Sequence, residues 1–122
     1  MIKRPLVSIV IPFYNEEGAV FGFHEAITQA LANLTEFDFE FICINDGSSD
    51  NTLGELLACV AKDPRYIVLE LSRNFGKEAA MSAGIDEANG DCVIPIDADL
   101  QDPPALIAQM LAEWQRGAEV VL

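Results

Sequence analysis

Histidine is almost absent: His24 is the single one among 122 residues. That leaves no imidazole cluster for zinc and no obvious histidine general base. Cysteine is sparse too. Cys43, Cys59 and Cys92 stand far apart without a Cys-x-x-Cys pair, so a disulfide framework and a zinc ribbon are both disfavoured, and the thiols read as reduced and buried. Positive charge is the third shortage. Seven Lys and Arg face twenty Asp and Glu, a formal charge of −13. Such a body repels nucleic acid and anionic bilayers, so no nucleic-acid partner is expected; an anion binds it readily only with a cation in between. Long apolar runs are also missing. The longest candidate, Leu6 to Phe13, contains Ser8 and Pro12, is strand-sized, and falls far short of the roughly 20 residues of a membrane-spanning helix. The basic start, Met1-Ile2-Lys3-Arg4-Pro5, is not followed by an apolar signal-peptide region.

What is present is a folded α/β chain. Hydrophobic residues make up 51% and charged residues 22%, which fits one globular domain or part of one. Apolar runs with strand character cover Val7 to Phe13, Phe39 to Asn45, Tyr66 to Leu71 and Cys92 to Ile96. Helical spacing lies between them. Glu16 to Leu34 carries Val20, Phe23, Ile27, Ala30, Leu31 and Leu34. Ser48-Ser49-Asp50 offers N-caps for a helix with Leu53, Leu56, Leu57 and Val60 on one face. Glu78 to Ala88 is a third helix, with Gly90 placed to stop it. Pro103-Pro104 opens a fourth, with Leu106, Ile107, Met110, Leu111 and Trp114 inward and Gly117 at its end. Glu119 to Leu122 reads as the start of a fifth strand. Strand–helix alternation predicts a mostly parallel sheet with helices on both faces. Ending on an apolar strand suggests that residues 1–122 are the first part of a longer domain. An uncovered edge on such a piece would favour self-association, so a homo-oligomer is in prospect.

In an open α/β sheet, ligands bind at the carboxyl ends of the strands. Here those ends are polar and acidic: Pro12-Phe13-Tyr14-Asn15-Glu16-Glu17, Asn45-Asp46-Gly47-Ser48-Ser49-Asp50, Ser72-Arg73-Asn74-Phe75-Gly76-Lys77 and Asp97-Ala98-Asp99-Leu100-Gln101-Asp102. Gathered carboxylates repel one another unless a cation joins them. Asp97 and Asp99, two apart on an extended segment, point the same way, and Gln101 adds a third oxygen if the extended path continues. Hard oxygen ligands suit Mg²⁺ or Mn²⁺. An Asp-x-Asp pair in isolation is equally at home in a turn. Asp102, just before Pro103, reads as an N-cap. Asp46-Gly47 is either a strand-to-helix turn or a carboxylate for a base or ribose donor. Tyr14 either stacks on a base or packs at the sheet edge. Glu16 either accepts from a ribose or base or favours the first turn of its helix. Arg73 and Lys77 are two of the seven cations, placed for a diphosphate or for a neighbouring carboxylate. His24 lies within the first helix and reads as a surface residue.

Taken together, Ser8-Ile9-Val10-Ile11-Pro12-Phe13-Tyr14-Asn15-Glu16-Glu17, Ile44-Asn45-Asp46-Gly47-Ser48-Ser49-Asp50 and Asp97-Ala98-Asp99 resemble the N-terminal half of glycosyltransferase family 2. Ser72-Arg73-Asn74-Phe75-Gly76-Lys77-Glu78 and Asp97 through Pro103 narrow the resemblance to the polyprenyl-phosphate branch, which includes bactoprenol glucosyltransferases and dolichyl-phosphate mannose synthases. The resemblance implies the GT-A fold, a Rossmann-like mostly parallel sheet, and a donor site. Pro12, Tyr14, Glu16, Ile44 and Asp46 would border the base and ribose. Asp97, Ala98 and Asp99 would contact the nucleotide, with Asp97 and Asp99 as catalytic residues. Asp97, Asp99 and Gln101 would hold Mg²⁺ or Mn²⁺. It further implies inverting transfer of a hexose, with UDP-glucose the first choice of donor and GDP-mannose the alternative, to a polyprenyl phosphate. The acceptor half and membrane segment would lie beyond residue 122. The whole enzyme would then work at the cytoplasmic face of the inner membrane, and residues 1–122 alone would be soluble and inactive.

Two rivals stand apart. A nucleotidyltransferase shares the sheet and metal chemistry but usually has a glycine-rich basic loop after the first strand, where this chain has Pro12-Phe13-Tyr14-Asn15-Glu16. A non-enzymatic phospho-receiver needs an Asp at the third strand tip, where this chain has Ser72-Arg73-Asn74.

Overall fold

The computed structural model describes residues 3–98 and 104–117. Eight elements alternate: β1 (Leu6–Phe13), α1 (Val20–Leu31), β2 (Asp38–Asn45), α2 (Thr52–Lys62), β3 (Tyr66–Glu70), α3 (Lys77–Glu87), β4 (Cys92–Pro95) and α4 (Pro104–Gln115). The strands form one sheet in the order β3-β2-β1-β4, all parallel. The predicted α/β class therefore holds. The fifth strand expected at Glu119 to Leu122, and Pro103, lie outside the described residues.

Both central strands are buried on both faces, which is why they read as unbroken apolar runs. Side-chain alternation divides the core in two. Val7, Ile9, Ile11 and Phe13 of β1, with Phe39, Phe41 and Cys43 of β2, pack under α1, α2 and α4. Val10, Ile42 and Ile44 face the other way and meet Ala80 of α3. Gly84 lets α3 lie close to the sheet: a Cβ there would stand 2.4 Å from Val10 and 2.5 Å from Ile44.

Polar residues also enter the interior in pairs. Ser8 and Glu40 are register partners on β1 and β2. The buried Ser8 hydroxyl donates to the Glu40 carboxylate at 2.5 Å. The N–H groups of Asn89 and Gly90 close the network onto Glu40 and Ser8, both at 2.8 Å. Gly90 thus seats the start of β4 on β1 rather than stopping α3, which ends at Glu87 because Ala88 turns extended.

Other expectations shift for local reasons. α1 begins at Val20, since Asn15 and Gly18 take positive φ and the polar tip turns before the helix starts. In α2 the buried stripe is Thr52, Leu56 and Cys59, which rotates Leu57 to the outside at 52% exposure. In α4, Ile107 and Leu111 are buried but Leu106 is exposed. Gly117 ends α4 at a φ of +92°, as expected. His24 is half-buried rather than a plain surface residue, sharing a 2.6 Å hydrogen bond with the Tyr66 hydroxyl.

Candidate functional site

The parallel order brings the carboxyl ends of β1, β2 and β4 side by side. The first two tips are laced together before any ligand is considered. The Asn15 N–H donates to Ser48 Oγ (3.0 Å), and the Ser49 N–H donates to Asn15 Oδ1 (2.8 Å). The Glu16 N–H donates to Thr52 Oγ1, and the Glu17 N–H donates to Asp50. Both Glu55 oxygens accept from the Gly18 N–H at 3.0 Å. Asn15 tolerates its φ of +51° because asparagine is among the residues most at ease in the left-handed region. Asp50 accepts from both the N–H and hydroxyl of Thr52 at the head of α2, and the hydroxyl bond first of all holds its carboxyl below the usual range. The N-cap position itself falls to Asn51, whose side chain makes no capping bond, so none of Ser48, Ser49 and Asp50 is the cap expected from the sequence; Asp50 serves the first turn from one position earlier.

A cavity of about 340 Å³ opens at this edge, lined by Pro12, Phe13, Tyr14, Glu16, Asp46, Asn74, Gly76, Lys77, Asp97 and Ala98. Its size is in the range of small-molecule sites. Seven of the sequence-derived site residues share it: Pro12, Tyr14, Glu16, Asp46, Lys77, Asp97 and Ala98. Tyr14 is 48% exposed, so its ring has a free face at the mouth. The Lys77 ammonium pairs with Asp97 across the cavity, the carboxylate partnership that was one of its two expected fates.

The structure places Asp46 less simply. The residue is only 2% exposed. Its Oδ1 accepts from the Phe75 N–H at 2.8 Å, and its Oδ2 accepts from the Gly76 N–H at 3.1 Å and from Asn74 Nδ2 at 3.3 Å. Asn74 Nδ2 also reaches the Asp46 carbonyl at 3.2 Å. Gly47 takes a φ of +69°, and a Cβ on it would meet the Arg73 carbonyl carbon at 2.2 Å. The β2–α2 turn and the β3–α3 loop therefore touch backbone to backbone.

Two predicted residues do not join the cavity. Ile44 is fully buried in the core beneath α3, because its position in β2 points it away from the tip. Arg73 lays its guanidinium over the Phe75 ring, 4.6 Å from the centroid, and among the described residues it pairs with no carboxylate and does not line the cavity. Asp99 and Gln101 lie outside the described residues. Asn74 and Gly76 were legible only as parts of a polar tip; their roles depend on Asp46, about thirty positions away in sequence.

For a divalent cation, the donor chemistry fits in kind: Asp97 supplies a hard oxygen at the cavity and no sulfur or imidazole competes there. Among the described residues no three His, Cys, Asp or Glu side chains gather closely enough to hold an ion. Asp97 is thus the one sequence-derived metal ligand that the described residues include.

An all-parallel sheet with a ligand-sized cavity at its carboxyl edge marks the class of open α/β proteins that bind their ligands at that edge. The comparisons specify which. The family model for glycosyl transferase family 2 matches residues 8–122, and the chain belongs to that family. An uncharacterized glycosyltransferase from Synechocystis is 49% identical over 94% of this chain and 36% of its own length. A bactoprenol glucosyl transferase of Shigella phage SfV is 44% identical over 95% of this chain and 38% of its own. The chain thus spans somewhat over a third of the curated relatives it matches. Among solved structures, a mannosyltransferase from Pyrobaculum calidifontis in complex with GDP-Man and Mn²⁺ superposes with a TM-score of 0.75 at 22% identity, covering 89% of this chain and 32% of that one. That likeness bears out the GT-A fold.

Proposed function

We propose that the protein transfers a hexose from a nucleotide diphosphate sugar to a polyprenyl phosphate. The carrying observation is the cavity that joins Tyr14, Glu16, Lys77 and Asp97 at one edge of a family 2 chain. The acceptor class is supported by the bactoprenol glucosyl transferases at 44% identity. They also favour glucose, hence UDP-glucose, over the GDP-mannose alternative. Family membership sets aside the nucleotidyltransferase and receiver readings.

The proposed chemistry is displacement at the anomeric carbon. The acceptor phosphate attacks, the nucleoside diphosphate leaves, and the configuration inverts. A phosphate oxygen is already ionised near neutral pH and needs no strong base. The fold agrees with this: the chain's one histidine is on α1 against Tyr66, at the amino end of β3 and remote from the cavity. Tyr14 offers a ring to the base, and Glu16 an acceptor to the base or ribose. Lys77 opens α3, so its ammonium and the helix amino terminus both favour a diphosphate. Asp97, with Asp99 and Gln101, would hold Mg²⁺ or Mn²⁺, which offsets the charge growing on the leaving oxygens.

No helix among the described residues is long and apolar enough to cross a membrane. With a charge of −13, residues 1–122 are repelled by an anionic leaflet, so docking there would fall to other parts of the protein. The site of action would be the cytoplasmic face of the inner membrane. The test is transfer of labelled glucose from UDP-glucose to polyprenyl phosphate by the full-length protein, with GDP-mannose in parallel. Labelled lipid from UDP-glucose, lost in Asp97→Ala, supports the proposal. Label from GDP-mannose alone replaces the donor, and no lipid product from either sinks the acceptor assignment.

A further inference from the structure

Asp46 sits in the cavity wall, yet its carboxylate is engaged by the protein's own loop. Three donors of the β3–α3 loop, the N–H groups of Phe75 and Gly76 and the side-chain amide of Asn74, converge on its two oxygens. Phe75 itself is 48% exposed, so its ring is not buried in the core and does not anchor the loop there. Gly47, the next residue after Asp46, leaves no room for a Cβ against the backbone of Arg73 and Asn74. Lys77 follows the loop at once, at the first position of α3, where Gly76 turns the chain with a φ of +102°. The loop path therefore decides where the Lys77 ammonium stands, and it stands at Asp97.

We infer that Asp46 is a positioning residue: its carboxylate clamps the Asn74–Gly76 turn and thereby sets Lys77 at the diphosphate end of the cavity. This rests on the nucleotide-sugar reading of the site only for the identity of the anion. The clamp itself is a property of the unliganded protein. A carboxylate suits the task because both oxygens only accept, and all three loop groups donate. Asparagine has the same shape but one accepting atom, and its NH₂ would face an N–H donor.

The experiment has two arms on the full-length protein, wild type against Asp46→Asn. The first is hydrogen–deuterium exchange of the peptide spanning residues 72–77 without ligand. The clamp protects the Phe75 and Gly76 amides in an otherwise exposed loop, and Asp46→Asn releases them. Equal exchange in the two proteins overturns the inference, whatever the ligand proves to be. The second arm titrates UDP and inorganic pyrophosphate, each with Mn²⁺. Loss of Lys77 placement weakens both ligands by a similar factor, on the order of five to ten. Combining Asp46→Asn with Lys77→Met adds little to either single change, because both act through one ammonium. Weaker UDP with unchanged pyrophosphate would make Asp46 a base or ribose ligand and overturn the positioning role. Should the wild type bind neither probe, the nucleotide reading fails, and the exchange arm still decides the clamp.

Discussion

Gly47→Ala is the substitution that tests the join between fold and site most directly. Two costs arise at once. An alanine at a φ of +69° adopts a left-handed conformation, which costs about 1–2 kcal/mol. Its Cβ would also lie 2.2 Å from the Arg73 carbonyl carbon and 2.3 Å from the Asn74 nitrogen. Both obstacles are backbone, so no rotamer change relieves them. The loop must move by about 1.2 Å to reach the 3.4 Å at which ordinary contact begins. A shift of that size stretches the Asp46 bonds to Phe75 and Gly76, now 2.8 and 3.1 Å, beyond useful length. Overpacking of this kind costs about 1–3 kcal/mol, so the total is about 2–5 kcal/mol. Gly18→Ala is the control: its φ is +87°, but nothing stands within 4 Å of the added carbon. It incurs the conformational cost alone. Urea unfolding of both variants, compared at equal m-value, reads the difference. Gly47→Ala no less stable than Gly18→Ala would refute the close approach of the two loops.

Three further outcomes follow from the same geometry. Lys77→Met removes the cation that now neutralises a partly exposed Asp97, so Mn²⁺ alone should bind more tightly; a pair this exposed is worth at most about 1 kcal/mol, or about fivefold, and weaker Mn²⁺ binding by paramagnetic-resonance titration would contradict the assignment. Ile44→Ala should cost about 2–4 kcal/mol in chemical unfolding, because Ile44 is fully buried under α3, while UDP affinity of the folded variant stays within twofold; a selective loss of UDP would return Ile44 to the pocket. Burial foremost pushes the pKa of Cys43, Cys59, Cys92 and Tyr66 up in the folded protein, so the unfolded chain releases these protons first as pH rises. Stability is therefore unaffected by these groups below about pH 8 and falls above about pH 8.5, more steeply past 10; a flat unfolding free energy across that range would exclude the mechanism.

The sequence made the sheet legible because two-sided burial writes itself as β-branched runs, and β1 and β2 lie within one residue of the expected spans. Helix limits and facing residues were less legible. α1 starts late because Asn15 through Gly18 hydrogen-bond to the neighbouring tip, a partner 33 to 37 positions away. Leu57 and Leu106 read as core from hydrophobicity, but which stripe faces inward is set by what the helix packs on. The candidate site was legible as a place, the acidic carboxyl edge, and not as a set of pairings. Asp46 with its loop amides, Asp97 with Lys77, and Arg73 with Phe75 are chosen by topology.

That distinction changes how the acidic excess is understood. A charge of −13 suggests an edge waiting for cations. Much of the carboxylate is instead used by the fold, because the strand tips are turns rich in backbone N–H groups that lack intrahelical or ladder partners. Glu17, Asp46, Asp50 and Glu55 each accept from such groups at this edge, and Asp91 accepts from the Leu6 N–H at the opposite, amino end of the sheet. Of the three carboxylates lining the cavity, Asp46 serves the loop and Asp97 holds Lys77. The Glu16 side chain makes no hydrogen bond or ion pair among the described residues, while its N–H is fixed by Thr52 at 2.9 Å. A carboxylate whose backbone is anchored and whose oxygens are uncommitted is the group in this cavity best prepared to accept from an incoming ligand, and it stands beside the exposed ring of Tyr14.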